Sequence, residues 1–348
     1  MKEISRRDFI RTAVIGGATI SLGSAMFIKP MEAQASGKYD IGQCKSLKVT
    51  CVSELGWFSN EVLMKQIMAA PGKMNANQWA VPWDPKNAAG SCSLVEVEML
   101  DGKKHKFLLD TGWNKEYMDQ AFQREGIDKM LKNREIDFLI ISHEHLDHYW
   151  ALETTLKYDP NIKIIIPGTF YPEGLQFLGG ADFPEANTSN KIPHKGELVK
   201  TEPGKVTQLY PGVAASTFDL PIIVRVRGEQ SLYFNVKDKG IVCVTGCCHQ
   251  NVLTLSDFAV NNIVGGDKMY GLYGGLHISP FGPINEAGMK IVKGMAKYGY
   301  KKVASNHCTG VSAVQAMINE GYPVVKGTGR FGSQSDLYIG NGDSVTFG

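Results

Sequence analysis

Residues 138–148 read FLIISHEHLDH and bring His143, His145, Asp147 and His148 within six positions. His143 and His145 are two apart, so in an extended loop their side chains leave on the same side. Asp147 and His148 fall where a helix would begin. Capping a helix takes one short polar side chain. Three histidines and an aspartate, in a chain with only eight histidines, are more than capping needs. Four nitrogen and oxygen donors at the carboxyl end of a strand suit one transition metal, or two close together.

Other groups of the same type recur at strand ends. TGCCHQ puts Cys247, Cys248 and His249 after the apolar run Ile241–Thr245. GGLH puts His277 after Lys268–Tyr273. NHCTG puts His307 and Cys308 after Lys301–Ser305. In open α/β sheets this carboxyl edge is where sites are built. His194, in KIPHKGE, sits in a lysine-flanked loop and reads as a surface residue.

The elements that must position these groups follow from pattern. Five apolar residues, Ile136 and Phe138–Ile141, read as a buried parallel strand ending at Ser142. Strands are expected at 47–53, 93–99 and 106–109, with Asp101-Gly102 as the hairpin turn. More are expected at 162–166, 206–210, 222–226, 231–236 and 241–245. Helical patterns cover 60–68, 115–124, 128–133, about 147–156, 285–298, and a stretch opening near Val311. Residues 170–204 read as loop-rich. Residues 56–91, with Trp79, Trp83 and three prolines, read as a long loop or lid beside the site, or as an insertion whose aromatics pack on the core.

HEHLDH matches the HxHxDH motif of the metallo-β-lactamase superfamily, as do the strand before it and Ser142. TGCCH, GGLH and HCTG, in that order, resemble one branch of that superfamily. Its named member is the 7,8-dihydropterin-6-ylmethyl-4-(β-D-ribofuranosyl)aminobenzene 5′-phosphate synthase. The likeness runs from about Leu94 to Lys326. HEHLDH stands where the branch usually has HGHYDH, Cys248 where it has a small residue, and 56–91 has no counterpart. The resemblance implies one domain over 36–348, a four-layer αββα sandwich of two mixed sheets with outer helices. It implies a mono- or dinuclear site with zinc, manganese and iron being the alternatives. The flavodiiron branch has glutamate at the second histidine position. Here that residue is His145, and Glu144 points the other way, so zinc is favoured over iron.

His143, His145 and His249 would make a three-nitrogen site with an open fourth position; Asp147, His148 and His307 would make the second. Cys247 occupies the place where much of the superfamily has a bridging aspartate, and either ligates metal or packs. The superfamily usually draws the first site's third nitrogen from a histidine upstream of that bridging position. Only His194 lies between His148 and His249, which makes His249 the economical donor. In the superfamily the aspartate of a DTG after a strand braces the histidine loop from beneath, so the resemblance implies that role for Asp110, the alternative being a turn residue. The resemblance places the GGLH histidine, His277, at the site as ligand, substrate contact or proton carrier, and makes Asp147 and His277 the candidate catalytic groups.

Residues 5–11, SRRDFIR, resemble a twin-arginine export signal. The apolar stretch Ala13–Ile28 is too short and glycine-rich to span a bilayer, and Ala33-Gln34-Ala35 suits signal-peptidase cleavage after Ala35. Residues 1–35 are therefore expected to be removed. The twin-arginine machinery would be a partner, the destination periplasmic or otherwise extracytoplasmic, and no stable membrane anchor would remain. The net charge is +2 with no basic run after the signal, so nothing marks a nucleic-acid surface. Seven cysteines in an exported chain leave at least one unpaired.

Three functions fit. One is a hydrolase that uses metal-bound hydroxide on a small-molecule ester, lactone, amide or phosphoester. The second is a transferase related to the synthase. The third is a non-catalytic protein that binds metal or ligand.

Overall fold

A computed structural model describes residues 28–35 and 37–348. Two seven-stranded mixed sheets lie face to face. One holds, in spatial order, Lys29–Pro30, Val206–Tyr210, Val213–Ile222, Val226–Val236, Gly240–Thr245, Met269–Gly275 and Lys302–Asn306. The other holds Ser344–Phe347, Ser46–Ser53, Cys92–Glu98, Lys104–Leu109, Phe138–Ile140, Lys163–Pro167 and Leu198–Thr201. Each sheet begins with antiparallel pairs and ends with parallel ones.

The strand Phe138–Ile140 shows why its sequence is apolar throughout. Phe138 and Ile140 point into the core between the sheets, where Phe138 stacks on Phe107 at 4.5 Å. Leu139 and Ile141 point the other way, into an outer core with Trp150 and Leu152. Both faces are buried, so alternation is absent, and each such side chain contributes about 1.5–3 kcal/mol. Helices at Asn60–Ala69, Lys115–Arg124, Leu152–Tyr158 and Pro172–Leu178 cover that outer face. Val252–Asn262, Glu286–Gly294 and Val311–Asn319 cover the outer face of the other sheet. This is the αββα sandwich.

The carboxyl ends of the parallel strands gather at one edge and deliver the loops at 142–148, 246–249, 276–277 and 307–308. Several expected elements differ. The helix expected over 147–156 is broken into Leu146–Tyr149 and Leu152–Tyr158. The carbonyl of His148 accepts from Thr111 N (2.8 Å) and Gly112 N (3.2 Å), which takes it out of helical pairing. Residues 222–226, expected as a strand, are instead a strand end, a turn at 223–225 and a strand start. Val224 and Arg225 have positive φ there. Val213–Ile222, Val252–Asn262 and Ser344–Phe347 were not anticipated. Residues 170–204 hold the helix Pro172–Leu178 and a sheet strand, Leu198–Thr201.

Segment 56–91 is neither a bare loop nor a loose flap. Asn60–Ala69 is helical with Ser59 as its cap, and three short turns follow. Trp79 packs on Trp150 at 4.7 Å and on Phe177 at 5.3 Å. Gln78 donates to the carbonyl of Glu144 (2.8 Å) and accepts from Leu146 N (3.1 Å), pinning the histidine loop from outside.

The twin-arginine residues and 13–27 of the apolar stretch lie outside the described residues. Lys29–Pro30, upstream of the expected cleavage point, pair with Thr207 and Gln208 at a sheet edge. Among the described residues no helix is long and apolar enough to cross a membrane. All seven cysteines are free and buried.

Candidate metal centre

The histidine loop is held by one carboxylate. Asp110 ends the strand Lys104–Leu109 with φ +65°. Its Oδ1 accepts from Ser142 N at 2.6 Å, and its Oδ2 accepts from Ser142 Oγ at 2.8 Å and His148 Nδ1 at 2.6 Å. Because Ser142 Oγ donates to Asp110, it accepts from His143 Nδ1 at 2.8 Å. Both imidazoles therefore keep the proton on Nδ1 and offer Nε2. His145 is the reverse: Nε2 donates to the carbonyl of Ile223 at 3.0 Å, leaving Nδ1 free. These tautomers follow from the hydrogen-bond partners.

His249 is set by Glu229, a fully buried carboxylate. Glu229 accepts from the backbone N–H of Cys247 (2.9 Å), Cys248 (2.7 Å) and His249 (2.7 Å), and from His249 Nδ1 (2.8 Å). Burial opposes its ionisation, but the His249 bonds and backbone donors outweigh that and hold its pKa at about 2. His249 Nε2 is buried without a partner. His307 donates Nδ1–H to the carbonyl of Glu54 at 2.9 Å, again leaving Nε2.

The donors so defined fall into two triads, His143, His145 and His249, and Asp147, His148 and His307, each with its donor atoms within 4.8 Å of one another. Within the first, His143 Nε2 and His145 Nδ1 are 2.9 Å apart. Within the second, His148 Nε2 and His307 Nε2 are 3.1 Å apart, and Asp147 Oδ2 is 3.3 Å from His307 Nε2. Two imidazole lone pairs facing each other at this distance repel unless a cation, a proton or a metal, lies between them. Tetrahedral zinc with bonds of about 2.0–2.1 Å separates its donors by about 3.3 Å, so the residues fit a divalent metal pair.

Charge within the cluster is sharply divided. Burial and the neighbouring His249 push His145 down to about 3, and burial with the same neighbour does so for His277. Burial opposes protonation of His307 too, but Cys308 and Asp147 outweigh it and raise it to about 10. Burial works against ionisation of Asp147, yet His148 and His307 hold it well below the carboxylate range.

Cys247 lies between the triads, its Sγ 3.0 Å from His148 Nε2. It groups with His143 and His148, and separately with His307 and Cys308. Cys308 is a sulfur donor that the sequence marked only as a neighbour of a histidine. Gly275 makes its room: a Cβ there would sit 2.6 Å from Cys308 Sγ. His277 belongs to neither triad. Its ring lies 4.5 Å from that of His249, and it lines the pocket above. His194 lies apart, donating Nε2–H to the carbonyl of Ile162 at 2.6 Å. Asp110 sits where the sequence expected it. Glu229, Ser142, Gln78 and Glu54 were missed as positioning groups. Glu229 falls between the two strands expected at 222–226 and 231–236 and lies instead inside the single strand Val226–Val236, one strand before the histidine it holds.

Residues 87–217 match the sequence model of the metallo-beta-lactamase superfamily. The chain is 25% identical over 256 residues to the 7,8-dihydropterin-6-methyl-4-(beta-D-ribofuranosyl)-aminobenzene-5′-phosphate synthase of Methanocaldococcus jannaschii. That match covers 66% of this chain and 84% of the synthase. The fold is shared with a metal-dependent hydrolase of the β-lactamase superfamily at TM-score 0.52 and 17% identity, over 87% of this chain and 98% of that one. A Bacillus subtilis metallo-beta-lactamase fold protein, YhfI, aligns at TM-score 0.49 and 12% identity, over 87% and 100%.

Proposed function

Because this chain belongs to the metallo-β-lactamase superfamily, we propose that it is a metal-dependent hydrolase of an ester, lactone, amide or phosphoester. The observation that carries this reading is the tautomer arrangement. Asp110, Glu229, the Ile223 carbonyl and the Glu54 carbonyl turn five imidazoles so that their lone pairs converge beneath one pocket. His143, His145 and His249 would hold one metal. Asp147, His148 and His307 would hold the other, with Cys247 at their junction. Bound divalent metals supply Lewis acidity and bring a water's pKa down to about 7.

The protein's own groups then do the rest. The Asp147 carboxylate, held ionised, balances cationic charge beside the pocket. His277, neutral and at the pocket wall, is placed to hydrogen-bond a substrate carbonyl. The test is metal analysis of purified protein, chelation and reloading, and a screen of chromogenic esters, lactones and phosphodiesters. About two metals per chain with chelator-sensitive turnover is expected. Turnover untouched by complete metal removal would sink the reading.

The 256-residue likeness to the synthase supports a second reading, a transferase in which a pyrophosphate leaves and an aromatic carbon attacks. Product analysis separates the two, since hydrolysis incorporates oxygen from labelled water and the transfer does not. Export is part of the proposal, resting on SRRDFIR. Replacing Arg6 and Arg7 by Lys keeps the charge and should trap the precursor in the cytoplasm; normal extracytoplasmic accumulation would remove this element.

A further inference from the structure

The second triad is not the only set of donors that meets at His307. Its Nδ1–H goes to the carbonyl of Glu54, so Nε2 carries its one free lone pair. The same histidine groups with two sulfurs: the donor atoms of Cys247, His307 and Cys308 lie within 4.8 Å of one another.

The strand order brings these groups together. Cys247 follows Gly240–Thr245, and His307 and Cys308 follow Lys302–Asn306; Met269–Gly275 runs between those two strands. That middle strand ends in Gly274 and Gly275, so the loops on either side close over it. A Cβ at Gly275 would come within 2.4 Å of the Gly246 carbonyl, 2.6 Å of Cys308 Sγ and 3.1 Å of His307 Cδ2. Cys308 Sγ is left 3.5 Å from the Cys247 carbonyl oxygen. Of the seven cysteines, Cys247 and Cys308 line the pocket above the donors and the other five do not. The pocket therefore gives an ion from solvent a path to these two thiols.

We propose that Cys247, Cys308 and His307 form a soft-metal site, alternative to the second triad, for a thiophilic divalent cation of the cadmium type. Two thiolates and one imidazole are a soft donor set, whereas Asp147, His148 and His307 are a harder one. Two thiolates also cancel the charge of a divalent ion, so no net charge is buried; one carboxylate leaves it half balanced. Metal–sulfur bonds of about 2.3 Å in tetrahedral geometry place two sulfurs about 3.8 Å apart, inside the observed spread. On binding, each thiol gives its proton to solvent and its sulfur to the ion. A single lone pair on His307 serves one ion at a time, so filling the sulfur site empties the second triad.

The test titrates cadmium into zinc-loaded protein without oxygen. Ultraviolet absorption reads sulfur-to-cadmium charge transfer, and native mass spectrometry counts both metals. One cadmium per chain is expected, with the thiolate absorption and with one zinc displaced. Cys308→Ser should keep its zinc, which shows that the fold and the triads are intact. Its cadmium affinity should fall by about tenfold or more, since one of two soft donors is gone. Cys248→Ser, next in the chain but outside the pocket, should behave as the native protein does. Cadmium bound without thiolate absorption, or with equal affinity in Cys308→Ser, overturns the site. Loss of zinc from Cys308→Ser, or cadmium added with every zinc retained, overturns its being an alternative to the second triad. Metal-free protein should give the same absorption whether or not it hydrolyses anything, so this site and the hydrolase reading fail separately.

Discussion

Glu229→Gln changes one oxygen to an amide nitrogen inside a site with no spare acceptor. Oε1 takes the N–H of Cys247 and Cys248, and Oε2 takes both the backbone and ring N–H of His249. Whichever way the glutamine turns, its NH2 faces at least one N–H. An unpaired buried donor costs about 1–3 kcal/mol. The cheapest relief is at His249, whose ring can move its proton from Nδ1 to Nε2 and accept from the amide. That protonates the one nitrogen the first triad needs. Loss of such an outer partner typically costs 10–100-fold in metal affinity, about 1.4–2.8 kcal/mol at 1.4 kcal/mol per tenfold. The second triad does not touch Glu229, so its affinity should hold. Zinc titration against a competing chelator, with metal counted by native mass spectrometry, reads both constants. If the weaker-binding metal in the variant is the one at Asp147, His148 and His307, or if neither constant moves by threefold, the tautomer argument is wrong.

His249→Ala should lose one metal and most activity, while His194→Ala, whose ring bonds the Ile162 carbonyl, should keep both metals; mass spectrometry of the pair decides it. Gly56→Ala puts a Cβ 2.5 Å from Asp147 Oδ2 and 2.9 Å from His307 Cε1, so the second metal should weaken by about tenfold or more with little change at the first. Metal-free protein should lose stability on both sides of neutral pH. Glu229, held at about 2, stabilises above about 4.5 and loses that as pH falls toward 2. His145 and His277, held at about 3, add a loss between about 6.5 and 3. His307, raised to about 10, stabilises fully below about 6.5 and loses that as pH rises to 10. Thermal melts of chelated protein across pH 3–10 should peak near neutrality, and a monotonic rise to pH 10 would contradict the His307 arm.

Much of this centre was legible because metal donors must sit at fixed places on strands. An apolar run with both faces buried, followed by HEHLDH, puts four metal-capable side chains at one strand end. The groups that aim those donors were less visible. Asp110 stood out by its DTG, but Glu229 and Gln78 sit among residues that in one dimension look like ordinary surface, and only the third dimension brings them to a histidine. The same limit explains the fold errors. Helix propensity runs through Trp150, yet Thr111 and Gly112, far back in the chain, take the carbonyl of His148 and break it. Val213–Ile222 carries two Ala, Asp and Pro, weak strand formers, and forms because Val226–Val236 pairs along its length. Trp79 and Trp83 looked equally suited to a movable cover and to a packed insertion, and burial decides for the latter while leaving Trp83 in the pocket wall.

Asp110 reaches the two triads at once, directly through His148 and by way of Ser142 to His143. The two triads therefore share an anchor, and metals bound at them would be thermodynamically linked. A cation on His148 makes its Nδ1–H a stronger donor and fixes Asp110. Ser142 is then already turned to receive His143 when the other cation arrives. Such coupling is reciprocal by necessity: whichever site fills first lowers the ordering cost of the second. Anything that disturbs Asp110 would therefore act on both triads, whereas changes at Glu229 or Gly56, outside the shared anchor, act mainly on one.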